Sequence, residues 1–403
     1  MTSTLGLVGE LVLLVLCVPV LTWSLYLGGL ALLSWRPTPP VAPPPSLRFD
    51  FVVPAHNESL GIAATVRSLH EVDYPKELFR VVVVADNCTD DTAVKAREAG
   101  AVVLERQNAE LRGKGYALEH AFQRCLVEGA DAVVVVDADT LISKNLLSAF
   151  SARLLAGNVA VQAHYGVQNP NASWRTRLMR IALSMFHQVR SIGRERLKVS
   201  AGLRGNGMCF RTSLLREVPH DAYSLVEDLE YGIRLGRRGF RVAYAWEADV
   251  LGEMVSGESA SRSQRNRWED GRAQMLRQHA WPLLRDSLKQ RSALLFDLAM
   301  DVLVPPLSRV VGLAVLGAVA SSLLLVFTGH GMVASSAFGL CLFGIGLYVF
   351  AGWAHSGTGL RGLFDLALAP AYVAWKVVLA FSKPKGKKAT EWVRTTREGE
   401  TRP

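Results

Sequence analysis

The sequence has little of what marks a disulfide-stapled, zinc-binding or nicotinamide-dependent protein. Its five cysteines, at 17, 88, 125, 209 and 341, include no C-x-x-C pair and no metal-ligand spacing. That pattern excludes a structural zinc site and fits a reducing compartment. No G-x-G-x-x-G follows the first β-branched run and no G-x-x-x-x-G-K-[ST] occurs anywhere, which argues against a dinucleotide-binding dehydrogenase and a P-loop NTPase. Charge is missing from two long stretches: residues 11–35 and 310–360 contain no Asp, Glu, Lys or Arg. No Lys or Arg precedes the first of them.

These uncharged stretches are what is present in excess. Half of the residues are hydrophobic and the mean hydropathy is +0.19. Residues 1–35 are expected to form a retained transmembrane helix, because the run exceeds the h-region of a signal peptide and lacks its basic start. Residues 301–354 supply two more spans, divided by "TGHGM" at 328–332. Residues 355–403 read as an interfacial or re-entrant helix followed by a basic tail, since crossing would put "KPKGKK" outside, against the positive-inside bias. By the same bias the middle of the chain faces the cytoplasm, giving a multi-pass protein of the cell membrane. The net charge of +9 suits anionic lipid and phosphate-bearing ligands. No nucleic-acid motif accompanies it, so nucleic acid is not an expected partner.

A proline-rich stalk, residues 36–47, leads from the first helix into a soluble domain, residues 48–257. "FDFVV", "RVVVVA", "AVVLE" and "DAVVVVD" read as buried strands, alternating with helical stretches at 59–70, 92–99 and 116–128. The expected fold class is therefore α/β with a Rossmann-like, mostly parallel sheet, joined to transmembrane and interfacial helices. Such sheets bind ligands at the carboxyl ends of their strands.

Those ends carry "PAHNES" (54–59), "DNCTDDT" (86–92) and "DADT" (137–140). Asp90 and Asp91 read as helix caps, whereas Asp86 follows its strand directly and precedes the cap. Asp137 and Asp139, on alternate residues, can turn to one ligand and suit Mg2+ or Mn2+ carrying a diphosphate, or else form a polar turn. Lys114, between two glycines before a helix, is placed to meet an anion. Glu227 and Asp228 fall in the first turn of a helix within 224–240, where they favour the helix dipole or offer a general base. Residues 258–300 have the composition of interfacial helices. Within them Gln264, Arg267 and Trp268 lie on neighbouring faces, where a guanidinium can meet a diphosphate and an indole a sugar ring.

In order and spacing, "PAHNES", "VVADNCTDDT", "RGKGYAL", "DADT", "VEDLEYG" and "QRNRW" resemble the inverting membrane glycosyltransferases of family 2, the group of cellulose, chitin, hyaluronan and poly-N-acetylglucosamine synthases. The resemblance implies a GT-A fold, a nucleotide-sugar donor such as a UDP-sugar, and Mg2+ or Mn2+ as cofactor. It implies that Pro54, Asn57, Glu58 and Asp86 line the nucleotide pocket and that Lys114, Asp137, Gln264 and Arg267 serve the diphosphate. Asp139 and Asp137 would be the metal ligands and Asp228 the base beside Glu227. Trp268, with Gly205 and Asn206 of "GLRGNGMCF", would line the acceptor site. The implied function is β-linkage synthesis of a cell-surface polysaccharide, with a homo-oligomer or export partner completing so few helices. The alternatives are single addition to a lipid acceptor and, from another class, a non-catalytic membrane scaffold.

Overall fold

The computed structural model describes residues 2–168, 173–252 and 258–368; the side chains of 258–268 lie outside the described residues. Eight strands form one sheet: β1 (Phe49–Ala55), β2 (Phe79–Asp86), β3 (Val102–Arg106), β4 (Ala132–Val135), β5 (Thr140–Ile142), β6 (Ala160–Val167), β7 (Met208–Arg211) and β8 (Ala243–Gly252). Their order is β3-β2-β1-β4-β7-β6-β8-β5. The first four are parallel, in register from Phe49 against Phe79 and Ala132. β7 then runs antiparallel between β4 and β6, and β5 antiparallel to β8.

The first four strands match the apolar runs read from the sequence. The other four did not stand out there, because β5 and β7 are only three and four residues long. In β6 and β8 the apolar run is broken by Gln162 and His164 and by Trp246 to Asp249.

Helices cover both faces. α1 (Thr2–Leu32) precedes the sheet, and α2 (Ile62–His70), α3 (Thr92–Glu98), α4 (Lys114–Val127) and α5 (Leu146–Leu155) alternate with the first strands. One core joins β1, β2 and β4 to α2 and α5 through Phe51, Val66, Leu69 and Phe150. The other packs α4 through Leu118 and Phe122 on the opposite face. α6 (Trp174–Leu183) and α7 (Arg190–Arg196) are joined by a π-helical turn, Ser184–Val189. α8 (Thr212–Glu217) and α9 (Glu227–Arg237) follow β7. Beyond the sheet come α10 (Glu258–Gln290), α11 (Ala293–Leu303), α12 (Leu307–Thr328) and α13 (Met332–Ser356).

Among the described residues, three helices are long and apolar enough to cross a membrane: Thr4–Leu32, Leu307–Thr328 and Met332–Ser356. Even the shortest, at 22 residues, is roughly 33 Å long against a hydrocarbon core of about 30 Å. They pack as a bundle in which α1 and α13 run parallel and α12 runs antiparallel to both. Gly6 of α1 lies against His330 in the α12–α13 turn, and Glu10 accepts from the Val333 N–H at 2.9 Å. At the other end Gly28 and Gly344 let α1 and α13 touch through backbone: a Cβ on Gly28 would lie 3.1 Å from Gly344 Cα. Small residues at a crossing permit this approach. Gly193 likewise brings α7 onto α1, where a Cβ would stand 2.8 Å from the Leu30 carbonyl oxygen.

Candidate active site

The carboxyl ends of β1, β2 and β3 build one half of the cleft. Asn57 and Asn87 both adopt left-handed backbone, with φ of 56° and 51°, which asparagine tolerates better than most residues. Asn57 Oδ1 accepts from the Thr89 N–H at 2.8 Å, and Asn87 Oδ1 accepts from the Asn108 N–H at 2.8 Å, so each side chain ties its loop to the next. The expected caps need a correction. Asp91 sits at the cap position of α3 without a side-chain cap bond. Asp90 accepts instead from the N–H groups of Thr92 and Ser59, at 3.1 and 3.2 Å, and Thr92 Oγ1 accepts from the Glu58 N–H at 2.8 Å. These residues therefore clasp "PAHNES" to "DNCTDDT". Pro54, the penultimate residue of β1, lies beside this clasp, opposite Val84.

Asp86 is buried and paired: Arg106, at the end of β3, donates to its Oδ1 at 2.6 Å. The Arg106 guanidinium lies 5.8 Å from the centre of the Tyr116 ring, which stacks on Tyr223 at 4.2 Å. Arg106 and Tyr223 were missed in the sequence. A charged residue closing an apolar strand was the available signal for Arg106; nothing local marked Tyr223.

The centre of the cleft is a cation among carboxylates. Lys114, at the start of α4, donates to Asp137 Oδ1 and to the Gly205 carbonyl, each at 2.6 Å, and lies 3.7 Å from Glu227 Oε1. Gly115 makes this possible by close packing, since a Cβ there would stand 2.1 Å from the Ala222 carbonyl oxygen. Burial works against the Lys114 charge, yet Asp137, Glu227 and Asp228 together hold its pKa above the usual value. Burial pushes Glu227 up to about 7, with the Asp228 charge adding to it and Lys114 opposing. Asp228 is raised by burial too, against its backbone N–H bonds, Lys114 and Arg204. Asp228 is the more exposed of the pair.

The "DADT" turn behaves as alternation requires: Asp137 and Asp139 are partly exposed, while Ala138 and Thr140 are buried. Asn206 Oδ1 accepts from the Asp137 N–H at 3.1 Å and its amide donates to Thr140 at 2.8 Å. Gln162 in turn bonds the Asn206 carbonyl at 2.7 Å and accepts from the Arg204 N–H at 2.9 Å, fixing the whole loop. Gly205, with φ 78°, presents its open face to Asp228: a Cβ there would be 3.5 Å from Asp228 Oδ2. Tyr165 of β6 joins this group unforeseen, its hydroxyl pushed up by burial and by Asp137 and Asp139 beside it.

Gln264, Arg267 and Trp268 lie on α10, and their side chains fall outside the described residues. The helix itself passes close to Glu227 and Asp228. Gly271 packs on Val226, the residue before Glu227, so closely that a Cβ would meet Val226 Cγ1 at 2.6 Å.

Residues 44–271, more than half of the chain, match the family model described as glycosyltransferase like family 2. The chain belongs to this family.

This transferase is 29% identical over 275 residues to a beta-monoglucosyldiacylglycerol synthase of Synechocystis, covering 62% of this chain and 55% of that one. It is 25% identical over 242 residues to a probable glucomannan 4-beta-mannosyltransferase 3 of rice, covering 56% and 43%. The chain thus spans about half the length of the curated relatives it matches. In fold it is similar to a mannosyltransferase of Pyrobaculum calidifontis solved with GDP-Man and Mn2+, with a TM-score of 0.50, 19% identity, and coverage of 87% of this chain and 99% of that one. That match is to the GT-A fold expected from the sequence.

A divalent cation fits the donor set without being completed by it. Among the described residues no group of three or more His, Cys, Asp or Glu is placed to hold a metal. Asp137 and Asp139 supply two hard oxygen donors, and Mg2+ commonly takes one or two carboxylates with substrate phosphates and water filling the rest.

Proposed function

We propose that the transferase moves one sugar, with inversion, from a nucleoside diphosphate sugar to a hydroxyl on a membrane lipid. The observation that carries this reading is where the acceptor side of the cleft is anchored. The loop holding Gly205 and Asn206 follows α7, and α7 is seated on the membrane helix α1 through Gly193 and through Arg194, which donates to the Tyr26 hydroxyl at 2.7 Å. An acceptor held in the bilayer needs such a cleft mouth beside the helices. The names of the glycolipid-synthase relatives agree with it.

The chemistry uses this chain's own groups. Asp228, exposed to the cleft, takes the proton from the acceptor hydroxyl. That oxygen bonds to the anomeric carbon while the bond from that carbon to the diphosphate breaks on the opposite face. Lys114 stabilises the departing negative charge, and Glu227 orients Lys114. Asp137 and Asp139 would hold Mg2+ or Mn2+, which when bound neutralises diphosphate charge. Asp86, oriented by Arg106, and the Asn57 loop hold the nucleotide. The positive-inside bias puts this domain in the cytoplasm.

A second reading, polymer synthesis, is favoured by the Gln264-Arg267-Trp268 pattern and by the basic tail beyond residue 368, which lies outside the described residues. The test is to embed the protein in lipid nanodiscs and supply Mg2+ or Mn2+ with a panel of UDP- and GDP-sugars. UDP or GDP release and the size and partition of the product are then measured. A mono-glycosylated lipid supports the proposal; long water-soluble polymer overturns it in favour of the second reading.

A further inference from the structure

Where the catalytic domain meets the membrane helices, four arginines converge on two aspartates. Arg190 and Arg194 come from α7, Arg204 from the acceptor loop and Arg272 from α10, while Asp297 and Asp301 come from α11. Arg190 pairs with Asp301 at 3.1 Å and donates to the Tyr348 hydroxyl at 2.9 Å. Arg194 pairs with Asp301 at 2.8 Å and with Asp297 at 3.3 Å. Arg272 donates to the backbone carbonyls of Asp301 and Val304. Arg204 donates to the Ala201 carbonyl at 3.1 Å. Among the described residues, neither Arg204 nor Arg272 has a carboxylate within ion-pair reach.

The imbalance is buried. Relative exposure is 0% for Arg194, 5% for Arg190 and 9% for Arg204. Among the described residues, two of their N–H-bearing atoms, Arg194 Nη1 and Arg204 Nε, have no hydrogen-bond partner, nor does Asp297 Oδ2. Asp228 faces Arg204 from the catalytic side, but Lys114 shares it, so counting it still leaves more cations than anions. Leaving a buried ion unpaired costs several kcal/mol, so such a cluster calls for an anion.

Its partly exposed side is formed by Phe186, on the π-helical turn, and by Arg272. Three guanidinium carbons surround the Phe186 ring, Arg204 at 4.3 Å, Arg190 at 5.0 Å and Arg272 at 5.9 Å from its centre. The depth is set by Tyr26 and Tyr348, which lie near the ends of α1 and α13 that adjoin the catalytic domain. That is headgroup level for helices of this length.

We propose that the Arg190–Arg194–Arg204–Arg272 cluster binds the phosphate of a membrane lipid, at a site separate from the donor pocket. Guanidinium forks suit phosphate oxygens, and a lipid phosphate reaches this depth without leaving the membrane. The inference rests on the proposed placement of the domain at the bilayer, not on which sugar is transferred.

The experiment uses the full chain in nanodiscs of phosphatidylcholine with phosphatidylglycerol. Bound lipid is counted by native mass spectrometry after transfer to detergent. Arg204→Gln, Arg272→Gln and Arg124→Gln, the last on exposed α4, are compared with wild type, and UDP and GDP affinity is measured on each by calorimetry. Wild type and Arg124→Gln are expected to retain phosphatidylglycerol over phosphatidylcholine. Arg204→Gln and Arg272→Gln are expected to lose about tenfold of that preference, the gap for one charged hydrogen-bonded contact. Equal retention in all four proteins overturns the site, as does competition of the bound lipid by millimolar inorganic phosphate alone, which would make it a site for the free anion. Should Arg204→Gln lose UDP binding through misfolding, the more exposed Arg272→Gln decides. Failure of wild type to bind either UDP or GDP strikes the proposed transfer reaction and leaves the lipid result standing.

Discussion

The donor side and the membrane side of the cleft are both built from buried charge, but they balance it differently. On the donor side each cation has a carboxylate: Arg106 with Asp86 at 2.6 Å, Lys114 with Asp137 at 2.6 Å and with Glu227 at 3.7 Å. On the membrane side Arg190 and Arg194 share Asp297 and Asp301, and among the described residues Arg204 and Arg272 have no carboxylate within ion-pair reach. The donor side is thus poised to exchange internal partners for a ligand that brings its own charges, a diphosphate with its cation. The membrane side is left with cationic surplus, which a lone anion completes. A site that will receive a neutralised ligand can be neutral itself, whereas a site for a bare anion cannot.

The largest test of this contrast is Asp228→Asn. Sugar transfer should fall by roughly a thousandfold, as for loss of a general base. UDP affinity, read by calorimetry, should hold, because the proposed role of Asp228 is on the acceptor. A parallel fall in UDP affinity would show that the two sides are not separable. Arg106→Gln is expected to act on the opposite side alone, weakening UDP binding by about tenfold through loss of the buried charged bond that orients Asp86. Its lipid retention should match wild type.

Glu227 sharpens the comparison through pH. Its folded pKa, about 7, lies above the ordinary value of 4.5, so the folded protein holds a proton that the unfolded chain releases. This contribution to stability is full below pH 4.5 and is lost as pH rises through 7. Thermal melts should show wild type losing several degrees across that window relative to Glu227→Gln, which lacks the titration. Parallel melting curves would mean that Lys114 keeps Glu227 ionised throughout.

The smallest effect belongs to the membrane bundle. Cys17 and Cys341 approach to 3.8 Å between sulfurs across α1 and α13. Mild oxidation in nanodiscs is expected to join them, detected as a mobility shift that reductant reverses, with nucleotide release unchanged. Absence of the link would contradict the packing of α1 on α13 that seats α7.

Much of this architecture was legible in the chain. β1, β2 and β4 are largely apolar runs buried on both faces, β3 is a short apolar edge strand, and the spans are long stretches with little charge, so these elements follow from local hydrophobicity. The donor-side residues could be found because they stand at strand ends, where the chain itself places them next to a ligand. Arg190, Arg194 and Arg204 gave no such signal, since arginines on a helix and in a loop ordinarily read as solvated surface.

By itself, the sequence determined the first four strands, their alternation with helices, the long apolar helices, and a family pattern of carboxylates and a lysine. Only the tertiary structure decided that Lys114 sits among Asp137, Glu227 and Asp228, that Asp86 is held by Arg106, and that buried arginines outnumber their aspartates beside the membrane helices. The physical reason is range. Hydrophobic period and strand-end position act over a few neighbours in the chain, whereas charge balance depends on which distant segments the packed glycines at 115, 193 and 271 allow to touch.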